Sequence, residues 1–130
     1  MHFNLMNTLP RAIVVFLLSI TSTMVTAQDG AVSPQTIQAT WVGKTLVGTI
    51  GNGPLKGKQI NVNLNADGSA KVDGAIVDSG TWRLSEQGYC AVWKTIRNGQ
   101  ERCFTVVRKG SEHLVINPDG SINNTITEIR

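Results

Sequence analysis

The chain has 130 residues, 12 Lys and Arg against 9 Asp and Glu, and a formal net charge of +3. That length suits one domain rather than two. The small charge imbalance, with no basic run longer than Arg108-Lys109, excludes a nucleic-acid or heparin patch. At the N-terminus a lone Arg11 precedes the apolar run from Ala12 to Ile20, and a small polar stretch ends at Val25-Thr26-Ala27. Small side chains at the last and third-last positions suit a signal peptidase. An apolar core of about nine residues falls well short of the roughly 20 needed to span a bilayer. Residues 1–27 are thus expected to be a removable signal peptide, and 28–130 a single all-β domain, periplasmic or secreted, with no membrane span after cleavage. Cys90 is the first cysteine, so none lies at the cleavage point to carry a lipid.

One short helix is expected next. Ser33 is placed to cap it, Pro34 suits its first position, and Gly43 lies just past residues 35–42. Ile37 and Trp41 would share its apolar stripe. About two turns do not persist unless docked on something else. Eight strands follow, at 45–50, 59–65, 69–77, 80–84, 89–96, 101–108, 112–117 and 121–129. The second is the clearest, with Ile60, Val62 and Leu64 alternating against Asn61, Asn63 and Asn65. Close spacing and short turns predict an eight-stranded antiparallel meander, a small barrel or a sandwich.

Ala66-Asp67-Gly68 and Pro118-Asp119-Gly120 each fit a three-residue hairpin loop with glycine in the left-handed position. That register sets Val62 opposite Val72, Leu64 opposite Ala70 and Ile116 opposite Ile122. A turn over 85–88 would put Trp82 opposite Val92 and Leu84 opposite Cys90, giving an inward set of Trp82, Leu84, Cys90 and Val92. Tyr89 and Trp93 then fall on the other face. Beside Arg102 and Arg108 they form a candidate partner surface.

The two cysteines, Cys90 and Cys103, are expected to form a disulfide in an oxidising compartment. A regular hairpin over Arg97-Asn98-Gly99 opposes this. It pairs Val92 with Phe104 and Cys90 with Val106, and sends Cys103 to the opposite face from Cys90. The bridge therefore requires a bulge or a wider loop near residues 95–100.

No constellation carries obvious chemistry. Asn63, Asn65, Asp67 and Gly68 match the start of a calcium loop, but Lys71 and Gly74 stand where its later ligands belong. His113 is the sole histidine after residue 27, which leaves a zinc site without a second imidazole and a serine triad without a distinguishing motif. Asp73 and Asp78 flank a glycine-containing stretch without a polar partner that would make a glycosidase pair. No catalytic residue, metal or cofactor is expected. Trp41, Trp82, Trp93, Tyr89 and Phe104 are read first as core, and otherwise as lining for a ligand pocket. Asn123-Asn124-Thr125 is a glycosylation sequon, meaningful only in a eukaryotic secretory pathway.

Several short blocks together resemble a known family. They are Gly43-Lys44-Thr45-Leu46, Asp67-Gly68, Gly80-Thr81-Trp82, Gly88-Tyr89-Cys90-Ala91-Val92-Trp93, Arg102-Cys103-Phe104-Thr105-Val106-Val107 and Asp119-Gly120. The chain resembles the small exported alphaproteobacterial proteins catalogued as domain of unknown function 995. The resemblance implies export, a compact β-fold and a cysteine pair, and brings no activity, substrate or catalytic residue with it. A weaker likeness is to periplasmic lysozyme inhibitors, whose inhibitory loop motif is not found here. The expected function is non-enzymatic binding of a small ligand or an envelope protein, by a monomer. The alternatives are a protein inhibitor of a cell-wall-degrading enzyme such as lysozyme, and a small cell-wall hydrolase.

Overall fold

The structure is a computed structural model that describes residues 12–21 and 29–130. Residues 12–21 form neither helix nor strand and are exposed, and the expected cleavage after Ala27 lies outside the described residues. No described helix is long and apolar enough to cross a membrane.

Eight antiparallel strands close into a barrel in simple chain order. They are β2 (Thr45–Ile50), β3 (Gln59–Leu64), β4 (Ser69–Gly74), β5 (Asp78–Ser85), β6 (Gly88–Trp93), β7 (Arg102–Lys109), β8 (Glu112–Ile116) and β9 (Ile122–Ile129), and β9 returns to pair with β2. The meander is thus a closed barrel rather than a sandwich. A ninth strand, β1 (Gly30–Ala31), which nothing in the sequence marks, pairs with β7 at Val107 and Arg108, beyond the end of β6. Asp29 anchors it by accepting a 2.7 Å hydrogen bond from the Gly110 amide.

Helix α1 (Pro34–Thr40) begins as its sequence dictates. Ser33 is extended at φ −69°, ψ 154°, and its hydroxyl accepts from the Thr36 amide at 3.1 Å. This places Ile37 and Trp41, both fully buried, over one end of the barrel. Burying such side chains contributes about 2–3 kcal/mol each. Tertiary packing of this kind is what sustains a seven-residue helix that would not hold alone.

Both three-residue turns form as expected. Val62 faces Val72 and Leu64 faces Ala70, and Ile116 faces Ile122 beside a bulge in β9. Gly68 and Gly120 take φ of 86° and 87°. The turns are near copies. Asp67 accepts from the Ser69 amide and hydroxyl at 2.9 and 2.6 Å, and Asp119 does the same from Ser121 at 2.9 and 2.6 Å.

The β5–β6 turn is where the expected register fails. Ser85 pairs with Gly88, leaving a two-residue loop, and Trp82 and Leu84 face Ala91 and Tyr89. This one-residue shift reverses every side chain of β6. Tyr89, Ala91 and Trp93 point into the barrel, and Cys90 and Val92 point outward. The change also removes the conflict over the cysteines. Cys90 now sits directly opposite Cys103 on the outer face, their Cα atoms are 3.9 Å apart, and they form a disulfide. The wider connection that the bridge requires spans residues 94–101 and contains a short 3-10 stretch, Ile96–Gly99.

Candidate functional site

The barrel is finished differently at its two ends. Trp41 fills the end beneath α1, edge-on to Tyr89 at 6.0 Å and to His113 at 5.7 Å between ring centroids. The interior around it is closed by Leu46, Leu64, Val106, Val115 and Ile126, each at most 1% exposed. Tyr89 and Phe104 form the next layer, their centroids 5.2 Å apart. Beyond that layer the inward side chains no longer meet. A cavity of about 350 Å³ opens toward the connections at 51–58, 75–77 and 94–101.

The walls of the cavity are mostly apolar. Ile60, Val62, Val72, Ala91, Trp93 and Phe104 line its depth, and Ile50, Leu55, Ile76 and Ile96 ring the mouth. Its polar groups are the Tyr89 hydroxyl, the amides of Asn52, Asn123 and Asn124, and the guanidinium groups of Arg97 and Arg102. Among the described residues, no Asp, Glu, His, Ser, Thr or Cys lines it. Burial pushes the Tyr89 phenol well above its usual range, so it presents a neutral hydroxyl. Asn124 is only 5% exposed, and among the described residues its side chain makes no hydrogen bond to protein.

Arg97 reaches the cavity because its loop is held in an unusual shape. Arg97 and Asn98 both adopt left-handed backbone, at φ 55° and 53°, and Gly99 follows at 73°. Consecutive non-glycine residues in this region are uncommon and need support from their surroundings. Asp78, at the start of β5, supplies it. One carboxylate oxygen accepts from the Thr95 amide, the Thr95 hydroxyl and the Ile96 amide at 3.0, 2.8 and 2.9 Å, and the other accepts from the Ser79 amide at 2.8 Å. The Ile96 amide is the strongest of the influences that hold the Asp78 carboxyl at a pKa of about 2. So restrained, the loop lays the Arg97 guanidinium 5.5 Å above the Phe104 ring.

The four residues read as a partner surface, Tyr89, Trp93, Arg102 and Arg108, do share one face of the sheet, but that face is the barrel interior. Tyr89 and Trp93 are 6% and 7% exposed. Arg102 lies inward at the open end, opposite Ala91, with one nitrogen donating to Asn117 Oδ1 at 3.3 Å. Arg108 lies at the α1 end, opposite His113, and its Nε donates to the Gly110 carbonyl at 3.1 Å. The structure therefore gathers Tyr89, Trp93 and Arg102 around the cavity and leaves Arg108 out. Sequence reasoning missed Arg97, whose only mark is its place beside Asn98-Gly99 in the connection the disulfide requires.

The remaining candidates are occupied elsewhere. Asn63 Nδ2 donates to Thr45, Asn65 Nδ2 donates to Ser69, and Asp67 Oδ1 accepts from Ser69, so these side chains of the calcium-like segment are engaged in a strand pair and a turn. Asp73 accepts from Asn61 at 3.0 Å on the outer face. Glu101 lies close to both cysteine sulfurs, but the sulfurs are joined to each other and Glu101 pairs with Arg83 at 2.8 Å. No family model, curated protein or solved structure matches the chain.

Proposed function

We propose that this protein is an exported, non-enzymatic binding module that holds one small, largely apolar molecule inside its barrel. The observation that carries the reading is the cavity of about 350 Å³, floored by Tyr89 and Phe104 and opening at the end away from α1. Eight-stranded barrels have interiors at the threshold between being filled by side chains and holding one ligand, and ligand cavities of a few hundred Å³ with apolar walls and few polar groups are the general form of such sites. Two features favour binding over catalysis. Among the described residues, the lining offers no carboxylate, imidazole, hydroxymethyl or thiol group that would serve as base or nucleophile. Its ionisable members are a phenol kept neutral and two guanidinium groups. The disulfide and the signal-like N-terminus support an oxidising compartment outside the cytoplasm.

Titration with the neutral, fluorescent probe 1-naphthylamine, which is small enough for the cavity, tests the reading. Saturable one-site binding is expected, with energy transfer from Trp93 in the cavity wall. Ile76→Trp, at the half-buried mouth, should abolish binding while the thermal midpoint stays close to that of the wild type. Absence of saturable binding to the wild type defeats the proposal, and unimpaired binding by a folded Ile76→Trp variant places the site elsewhere.

A further inference from the structure

We infer that the ligand is an apolar chain or ring system bearing one carboxylate, with the carboxylate held between Arg97 and Arg102 at the cavity mouth. This rests on the reading of the cavity as a ligand site.

The argument begins with charge that the protein leaves unbalanced. Among the described residues the ion pairs are Arg83 with Glu101 and Arg130 with Glu128, neither of them at the cavity. Arg102 has only the neutral Asn117 amide as its side-chain partner. Arg97 has less: its Nε is buried with no hydrogen-bond partner among the described residues. Asp119 is close enough to feel Arg102, but it is not within ion-pair distance and its Oδ1 is engaged by Ser121. Burial, and then the neighbouring charge of Arg102, push the Arg97 pKa downward. A guanidinium nevertheless stays protonated in proteins. Two like charges are thus held at an apolar cavity, where an unpaired donor is costly and a charge-assisted hydrogen bond correspondingly strong.

The geometry of the supporting loop points the same way. Arg97 occupies a left-handed position that glycine would take with less strain, and Asp78 holds the loop there with its full set of hydrogen bonds. The result is a positive group turned into the mouth instead of out to solvent. A guanidinium fork matches the planar, two-oxygen geometry of a carboxylate. The neutral amide of Asn124 is a further donor in the wall. Beside these polar groups, Val62, Val72, Ala91 and Trp93 offer an apolar slot. At roughly 30 Å³ per water-sized volume, the space accommodates about a dozen non-hydrogen atoms. A medium-chain carboxylate is of that size.

Calorimetric titration with decanoate, decanol and acetate tests the inference, using the wild type, Arg97→Gly and Arg102→Gln. Arg97→Gly removes the guanidinium at a backbone position that suits glycine, and its thermal midpoint reports whether the fold persists. The wild type should bind decanoate roughly ten- to a hundredfold more tightly than decanol, and acetate much more weakly than either. In each variant the preference should fall toward parity through loss of decanoate affinity, with decanol affinity unchanged within a few-fold. If variants of either kind fail to fold, added salt provides the second measurement, and must weaken wild-type decanoate binding more than decanol binding. Decanol binding as tightly as decanoate would overturn the carboxylate inference and leave the cavity reading intact. Acetate binding as tightly as decanoate would also overturn it, because the apolar slot would then contribute nothing. Failure of decanoate, decanol and 1-naphthylamine alike would remove the cavity reading itself.

Discussion

The two ends of this barrel are made by the same eight strands and used in opposite ways. At the α1 end, the inward positions of β2, β3, β5, β7 and β9 hold Leu46, Leu64, Leu84, Val106 and Ile126, and the helix adds Ile37 and Trp41. At the other end the inward positions include Ala91, opposite Arg102, and Asn124, opposite Ile50. A small side chain, a long charged one and an amide do not fill a space that Leu and Trp would. The cavity thus follows from the choice of residues in one layer of an otherwise regular barrel. One end is packed for stability, which frees the other to stay hollow.

The first way to break this comparison is to truncate a tryptophan at each end. Trp41→Ala should cost about 3–5 kcal/mol, because the ring is fully buried between α1 and the barrel core. Trp93→Ala should cost less, about 2 kcal/mol, since part of its surface already faces the void and has no packing to lose. Urea midpoints of the two variants check this. Equal losses would mean that the open end is as tightly packed as the closed one.

The disulfide sharpens the comparison next, because it lies at the boundary. Cys90 and Cys103 join β6 to β7 on the outer face and close the connection that carries Arg97. Replacing both with serine should cost about 3 kcal/mol, the chain-entropy value for a loop of this size. The loss should be felt more at the open end. Amide exchange at Thr95 and Ile96 is expected to accelerate more than that of α1, and the reverse order would show that the bridge serves the helix-covered end.

Much of this architecture was legible in the sequence, and the parts that were not have a common cause. The Ser33 cap, the alternation of β3 and the two Asp-Gly turns are signals carried within a few residues, and each gave the correct element and register. β6 offers no such signal. Its inward residues Tyr89, Ala91 and Trp93 and its outward Cys90 and Val92 are all apolar, so a period of two does not say which set faces the core. The short Glu86-Gln87 turn decides, and neither residue has a strong turn preference. With β6 reversed, Tyr89, Trp93 and Arg102 belong to the cavity wall instead of an outer surface, and Arg108 lies at the α1 end. The site was visible as a set of residues on one face and invisible as an interior. Arg97 was hidden more deeply, since its direction depends on a left-handed loop pinned by Asp78 from 17 residues away.

The twin turns provide a smaller test of the same contrast. Asn65-Ala66-Asp67-Gly68-Ser69 lies at the α1 end, and Asn117-Pro118-Asp119-Gly120-Ser121 at the open end. Both glycines have nearly the same φ, so valine at either should cost roughly 1–2 kcal/mol in backbone strain. The surroundings differ. A Cβ at Gly68 would lie in ordinary van der Waals contact with the Trp82 carbonyl oxygen at 3.9 Å, whereas one at Gly120 would meet nothing within 4 Å. Neither adds a clash, so the two valine variants should differ by no more than a few tenths of a kcal/mol. A clear gap between their thermal midpoints would show that the end of the barrel, and not the backbone conformation alone, sets the cost.

Acid should separate the two ends with the smallest energies of all. His113 packs on Trp41, and its pKa is lowered from 6.5, first by burial and then by the charge of Arg108. Between the folded and unfolded pKa values the unfolded chain binds a proton that the folded one does not. The His113 contribution to stability is thus complete above pH 6.5 and declines as the pH falls below it. Asp78 is depressed from 3.8 to about 2, chiefly by its hydrogen bond from the Ile96 amide. Its contribution is complete above about pH 4 and is lost only as the pH falls through about 2. Both groups lose stability on acidification, but in different windows and at opposite ends. Lowering the pH from 7 to 5 should loosen α1 first, read as faster amide exchange at Ile37 and Trp41, whose N–H groups bond to Ser33 and Ile37 carbonyls. The amides of Thr95 and Ile96, bonded to Asp78, should keep their protection down to about pH 4, so that the cavity mouth outlasts the helix lid. Loss of protection at Thr95 and Ile96 before α1 would contradict that order, and His113→Gln should remove the upper step while leaving the lower one in place.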